Sequence, residues 1–192
     1  MSAALIALRA AAAELEARAD ELTRLDSLQG DGDLGRTAGL IAVSLRAAGE
    51  ENPEDVVGLL RACGVKIAGA APSSSGTLVA SGFLAAAKIV AAQGASAAGV
   101  IGGFIEGVQH RGKASAGDRT MLDALVPAHG SLEQDPDDLE AAARAAEAGI
   151  EATRTMQAKF GRARFLAANA AGEPDPGAVM VGTALAAALR AL

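Results

Sequence analysis

Residues 25–39 read LDSLQGDGDLGRTAG, and three aspartates, Asp26, Asp31 and Asp33, fall there among glycines where a long alanine-rich helical pattern stops. Carboxylates this close in sequence repel one another unless a cation or a protein donor stands between them. Three hard oxygen ligands with no histidine or cysteine beside them suit Mg²⁺, which prefers carboxylates, water and phosphate oxygens. Zinc fits poorly, and so does the calcium loop of an EF-hand, because no glutamate falls at its final position. Spacing alone leaves a second option open: Asp31 and Asp33 could simply end one helix and cap the next.

Three more stretches carry useful polar chemistry. Pro72-Ser73-Ser74-Ser75-Gly76 places hydroxyls and free N–H groups at a helix start, where partial positive charge favours phosphate. An ordinary serine cap also explains it, and no Gly-Lys-Ser/Thr follows to make a Walker motif. In RGKASAGDRTMLDAL, residues 111–125, Gly112, Lys113 and Arg119 lie near a helix start with Met121 one turn inside. A glycine lets a flat ligand approach the backbone, and a thioether packs well on a ring such as adenine. The plainer account makes Met121 a core residue, Asp118 a helix cap and Asp123 the partner of a nearby basic residue. Finally, FGRARF carries Arg162 and Arg164 and precedes Glu173-Pro174-Asp175-Pro176-Gly177. An arginine among carboxylates pairs with them or with a ligand phosphate, since its planar fork suits both.

The elements that must position these residues are helices. Hydrophobic residues make up 51% of the 192-residue chain but aromatics only 2%, so the core must be built from Ala, Leu, Val and Ile. Alanine and leucine are strong helix formers, and small side chains let helices approach closely. One domain spanning residues 1–192 is expected. The net charge of −6 and the absence of a basic, aromatic-laced stripe exclude a nucleic-acid binder. A single cysteine, Cys63, fits a reducing cytoplasm and a buried small residue. The apolar start of the chain carries Arg9, Glu14 and Glu16 at helical spacing and reads as an amphipathic helix. Residues 89–105 are uncharged, but Gln93, Gly94 and Ser96 divide them, so no membrane span is expected.

About eight helices can be read. The first runs from Ser2 to about Leu28 and the second from Leu34 to Ala48. The third opens at Asn52-Pro53-Glu54-Asp55 and ends near Gly69; the fourth opens at the serine loop. Ser96 starts a fifth that ends near His110, and Asp118 caps a short sixth, DRTMLDALVPA. The seventh spans about Asp137 to Lys159, and Asp175-Pro176 opens the last. If successive helices are antiparallel neighbours, alternate loops share one end of the bundle. The loops after helices one, three, five and seven then cluster, and they are the four chemically rich stretches.

Taken together, LDSLQGDGDLGRTA, SSSG, GKASAGDRTMLDAL, GRARF and DPGA resemble, in order and spacing, the nucleotide-binding L subunit of dihydroxyacetone kinase. The resemblance covers nearly the whole chain. It implies a barrel of eight antiparallel amphipathic helices with a nucleotide, ADP or ATP, at one end. It implies that Asp26, Asp31 and Asp33 hold a pair of Mg²⁺ ions, and that no side chain acts as a general acid or base. Nucleotide contacts are implied at Leu34, Gly35, Arg36, Thr37, Ser74, Ser75, Gly112, Met121, Arg162, Asp175, Pro176 and Gly177, with Arg162 stabilising phosphate. The implied partners are a separate K subunit that holds dihydroxyacetone or a related ketose and, where ADP is rephosphorylated in place, a phosphotransferase-system M subunit. The chain departs from the family pattern in several places. Asp33-Leu34-Gly35 and Thr37-Ala38 replace the usual Asp-His-Gly and Asn-Met, Ser74-Ser75-Gly76 replaces Ala-Ser-Gly, and the Tyr and Gly-Glu-Arg after the late Gly-Arg are absent. These departures also admit a non-catalytic module that binds metal or nucleotide and docks a partner.

Overall fold

The computed structural model describes residues 1–51, 54–166 and 170–192. Every regular element among them is helical: α1 (Ala3–Ala17), α2 (Ala19–Ser27), α3 (Leu34–Glu51), α4 (Val56–Ala70), α5 (Ser74–Gln93), α6 (Ala97–Gly112), α7 (Leu122–Gln134), α8 (Leu139–Ala152), the single turn α9 (Ala163–Leu166) and α10 (Pro176–Arg190). A short 3₁₀ turn at Thr153–Thr155 follows α8. Each long helix packs on the next from α3 to α8, α8 packs on α10, and α1 closes the ring by packing on both α10 and α3. The result is an all-α cylinder whose staves follow chain order, with α1 and α2 forming one stave.

Short polar side chains start the staves. Asp55, Ser73, Ser96, Asp138 and Asp175 each accept a hydrogen bond from a backbone N–H in the first turn of the helix that follows, which removes an orphan donor from each end. Small residues then bring the staves together. A Cβ at Gly107 of α6 would overlap the Ser81 carbonyl oxygen of α5, and one at Gly103 would lie 2.8 Å from the Ala86 Cα. Cys63 is fully buried as expected, and burial pushes its thiol up to about 12.

Several boundaries differ from the sequence reading. The first stave bends at Arg18 (φ −99°, ψ 7°) between α1 and α2. The bend lies where α3 comes closest, since a Cβ at Gly35 would overlap the Ala19 carbonyl oxygen. The third stave starts at Val56 with Asp55 as its cap, while Asn52 and Pro53 lie outside the described residues. Helix α7 starts at Leu122 and continues through Pro127 to Gln134. Pro127 has no N–H for the Asp123 carbonyl, and Gly149 of α8 packs against that oxygen. Asp118 is not a helix cap: its carboxylate accepts from Ser115 N–H (2.8 Å) and from Lys159 Nζ (2.7 Å). Asp123 pairs with no basic residue in its own bonds; it accepts from the N–H groups of Gly117 and Thr120. Helix α8 stops at Ala152 instead of continuing to Lys159, because the Thr153 hydroxyl turns back to the Ile150 carbonyl (2.6 Å) and the Thr153 carbonyl is taken by Arg119.

Most of the buried apolar side chains form one cluster from Ala11 to Leu189. The cylinder is not filled: a cavity of about 430 Å³ is lined by apolar groups that include Leu8, Leu45, Phe83, Phe104 and Leu185. Ser2, Ser96 and Leu192 also line it, at the end opposite the loops described below. Helix α5 is long and apolar enough by composition to cross a membrane, and it packs between α4 and α6.

Close packing at Gly149 gives a direct test. Gly149→Ala is expected to destabilise the protein by about 1–3 kcal/mol through overpacking. Gly39→Ala on α3, where a Cβ meets nothing within 4 Å, is expected to raise stability by about 0.5–1 kcal/mol from helix propensity. Thermal melting of the two variants checks both signs.

Candidate functional site

Four loops meet at one mouth of the cylinder: residues 28–33, 71–73, 113–121 and, of the last, the described residues 153–166 and 170–175. The contacts joining them come from distant parts of the chain. Thr37 Oγ1 lies 3.2 Å from Ser73 Oγ, Lys159 pairs with Asp118, Arg162 pairs with Asp31, and Arg24 on α2 pairs with Glu173 at 2.9 Å.

In the first loop, Asp26 belongs to the last turn of α2 while Asp31 and Asp33 follow the turn. Their nearest carboxylate oxygens all lie within 4.8 Å of one another. The loop wraps tightly around Asp26: Gly30 N–H donates to its carbonyl (2.6 Å), and Asp33 N–H donates to Asp26 Oδ2 (3.0 Å). Gly32 has a φ of +75°, which favours glycine, and a Cβ at Gly30 would push on the Asp26 carboxylate itself. Burial, and then the negative charge of Asp31 and Asp33, hold the Asp26 carboxyl above its ordinary range despite the N–H groups that pull it down. The Arg162 guanidinium holds Asp31 below its ordinary range.

These residues fit a hard divalent cation. At a Mg–O distance of 2.0–2.1 Å, opposite ligands of an octahedral ion stand about 4.1 Å apart, so the spacing needs little adjustment. The donor set is all carboxylate, which matches Mg²⁺ and not a soft metal.

Around the cluster, Leu34 (4% exposed) and Ala38 (0%) face the core, and Gly35 is buried against α2. Arg36 is exposed, and Thr37 is 4% exposed with its hydroxyl near Ser73. Ser73 caps α5, with Gly76 N–H donating to its Oγ at 3.0 Å, so Ser74 and Ser75 occupy the first turn, where N–H groups have no intrahelical acceptor. Gly112 ends α6, and Lys113 beyond it adopts a left-handed φ of 62°. Met121 is 5% exposed and lies beside Gly177, whose Cβ would stand 3.7 Å from the Met121 backbone nitrogen. Pro176 is buried at the first turn of α10. Asp175 is 8% exposed, and Ala178 N–H donates to its Oδ1 at 2.7 Å. Its carboxylate is thus committed to the helix start. Burial pushes the Asp175 carboxyl up to about 7, although Arg119 opposes the shift. Arg162 and Arg164 lie on an exposed segment, with the Arg164 guanidinium 4.4 Å from the Phe165 ring centre.

Three residues outside the sequence reading hold the loops together: Gln29, Thr153 and Arg24. Gln29 lies inside LQGDGD, and its 2% exposure in so polar a stretch is unlike a turn residue. Nothing in the local sequence marks Thr153 or Arg24, whose partners are remote.

The carboxylate cluster and the starts of α3 and α5 thus share one mouth of an all-α cylinder. Residues 29–190 match the DAK2 domain, and the chain belongs to that family. Asp26 lies just before the matched segment. The chain is 32% identical over 163 residues to the "PEP-dependent dihydroxyacetone kinase 1, ADP-binding subunit DhaL" of Listeria innocua, covering 82% of this chain and 79% of the relative. It is 34% identical over 175 residues to the corresponding "PEP-dependent dihydroxyacetone kinase, ADP-binding subunit DhaL" of Escherichia coli, covering 83% and 82%. Among solved structures it is similar to the dihydroxyacetone kinase of C. freundii in complex with AMP-PNP and Mg²⁺, with a TM-score of 0.79 and 31% identity. That match spans 100% of this chain and 33% of the kinase chain.

The buried Asp175 sets a pH dependence. A carboxyl whose folded pKa lies above its unfolded value destabilises the fold as pH rises from about 4 through about 7. Asn caps helices as well as Asp does. Asp175→Asn is therefore expected to gain stability over the wild type at pH 8 and to show little difference at pH 4.5, measured by denaturant unfolding at both values.

Proposed function

We propose that this chain is the nucleotide-holding subunit of a dihydroxyacetone kinase, a phosphotransferase with an alcohol acceptor, acting on a ketose carried by a separate K subunit. The observation that carries this reading is the cluster of Asp26, Asp31 and Asp33, within 4.8 Å and paired to Arg162, where four loops meet. The two ADP-binding subunits it resembles over about four-fifths of their length, and the kinase structure with AMP-PNP and Mg²⁺, support it.

In this reading residues 1–192 act as one nucleotide-binding domain. Asp26, Asp31 and Asp33 would hold two Mg²⁺ ions, which would supply charge neutralisation at the phosphates. Residues 34–37 and the starts of α5 at Ser74 and Ser75 orient the phosphates through N–H and hydroxyl groups. Gly112, Met121, Asp175, Pro176 and Gly177 form the wall for the nucleoside. Arg162, exposed and already matched to one oxyanion, can turn its fork from Asp31 to a phosphate. Phosphoryl transfer requires in-line positioning and charge neutralisation more than covalent chemistry, so no acid or base is needed from this chain. The K subunit approaches this mouth, where Phe165 is 75% exposed. The names of the two bacterial relatives, ADP-binding subunits of PEP-dependent kinases, favour a PEP-dependent phosphate source for this chain as well.

The rival reading, a non-catalytic docking module, draws on Leu34 and Ala38. Both are buried in the core, so these replacements alter packing and leave the carboxylates intact.

Mg²⁺ with ADP at one hundred times its Kd is expected to stabilise the fold by about 2.7 kcal/mol, a rise in Tm of about 5–10 °C. Asp31→Asn and Asp33→Asn are each expected to lose most of that rise. Phosphorylated ketose is expected only when a K subunit and a phosphate source are added together. A normal metal- and nucleotide-dependent shift with no product under any such combination would favour the docking module.

A further inference from the structure

Three of the four loops at the mouth share one buried cation. Arg119 is 5% exposed and holds a φ of 59°, a left-handed conformation uncommon for a residue with a side chain. Its guanidinium points three ways. Nε donates to the Thr153 carbonyl at the end of α8 (3.1 Å), Nη1 to Gln29 Oε1 (2.8 Å), and Nη2 to the Glu173 carbonyl (2.9 Å). These acceptors are all neutral. The charge is offset by the carbonyl end of α8 and by nearby Asp175, which feels it.

Gln29 is the arm that reaches the acidic cluster. It is 2% exposed, its backbone N–H donates to the Asp26 carbonyl at 3.0 Å, and it immediately precedes Gly30. Its side-chain amide spans from Arg119 to the Pro174 carbonyl, 3.5 Å away. One guanidinium therefore fastens the aspartate loop from beneath, fixes the segment leading to Asp175, and sits two residues before Met121.

We propose that Arg119 is a positioning residue which, through Gln29, holds the loop of Asp26, Asp31 and Asp33 in ligating shape and locks it to the segments carrying Met121 and Gly177. The proposal rests on the metal reading above. Its mechanism is geometric: the rigid planar fork serves three acceptors at once, which the single ammonium of a lysine does not. Residues behind a metal's ligands commonly set its affinity by 10–100-fold.

The test is Mn²⁺ binding to the full chain without nucleotide, by titration calorimetry and by the loss of the free-ion electron paramagnetic resonance signal. Gln29→Leu and Arg119→Lys are each expected to weaken Mn²⁺ by about tenfold. The double variant is expected to be no weaker than the worse single one, because both substitutions cut the same link. Circular dichroism and melting establish that each variant is folded. If Arg119→Lys does not fold, Gln29→Leu, which removes one amide arm, decides alone. Wild-type Mn²⁺ affinity in folded Gln29→Leu, or losses that add in the double variant, would overturn the proposal. Absence of Mn²⁺ binding in the wild type would overturn the metal reading and this inference with it, and is a distinct result.

Discussion

Negative charge held at close range governs the mouth of this cylinder. Three carboxylates each place an oxygen within 4.8 Å of the others, and the loop that carries them turns through a left-handed glycine, Gly32. Such a cluster needs a counter-charge, and the rest of the mouth is organised around supplying one. Arg162 meets Asp31 from above, and backbone N–H groups meet Asp26 from its own loop. A frame built from other loops stands behind it, in which Arg119 ties Gln29 of this loop to Thr153 and Glu173.

That frame follows from topology. Staves that pack in chain order on a closed ring bring every second loop to the same end. Residues separated by more than a hundred positions then touch without any strand or disulfide to join them, as in the 149-residue separation of Arg24 and Glu173. The low aromatic content serves the same end, because helices lined with alanine and glycine can stand close enough to make the ring. The opposite half of the cylinder encloses an apolar cavity, away from the carboxylate cluster.

Much of this was legible in the sequence, and the reasons differ by residue. Five staves begin with Ser or Asp caps, and glycine or polar breaks separate the staves, so their number and the shared end of the four loops could be counted. The aspartates could be singled out because their spacing is local. Helix ends set by remote partners could not be read. Helix α8 stops at Ala152 because Thr153 and Arg119 capture its last groups, and α7 passes Pro127 because Gly149 accepts the freed carbonyl as a neighbour. Asp118 looked like a cap and is held by Lys159, forty-one positions away. For Gln29 and Thr153 the local sequence gives no sign of an amide that bonds a distant arginine or of a helix end that arginine captures.

The central claim is that Asp26, Asp31 and Asp33 converge to hold a divalent ion that in turn holds a nucleotide's phosphates. Anomalous diffraction from crystals grown with Mn²⁺ and ADP measures this most directly. The account predicts anomalous density between the three carboxylates, with the diphosphate reaching it from the starts of α3 and α5. Density elsewhere, or an ADP bound away from this cluster, would contradict it.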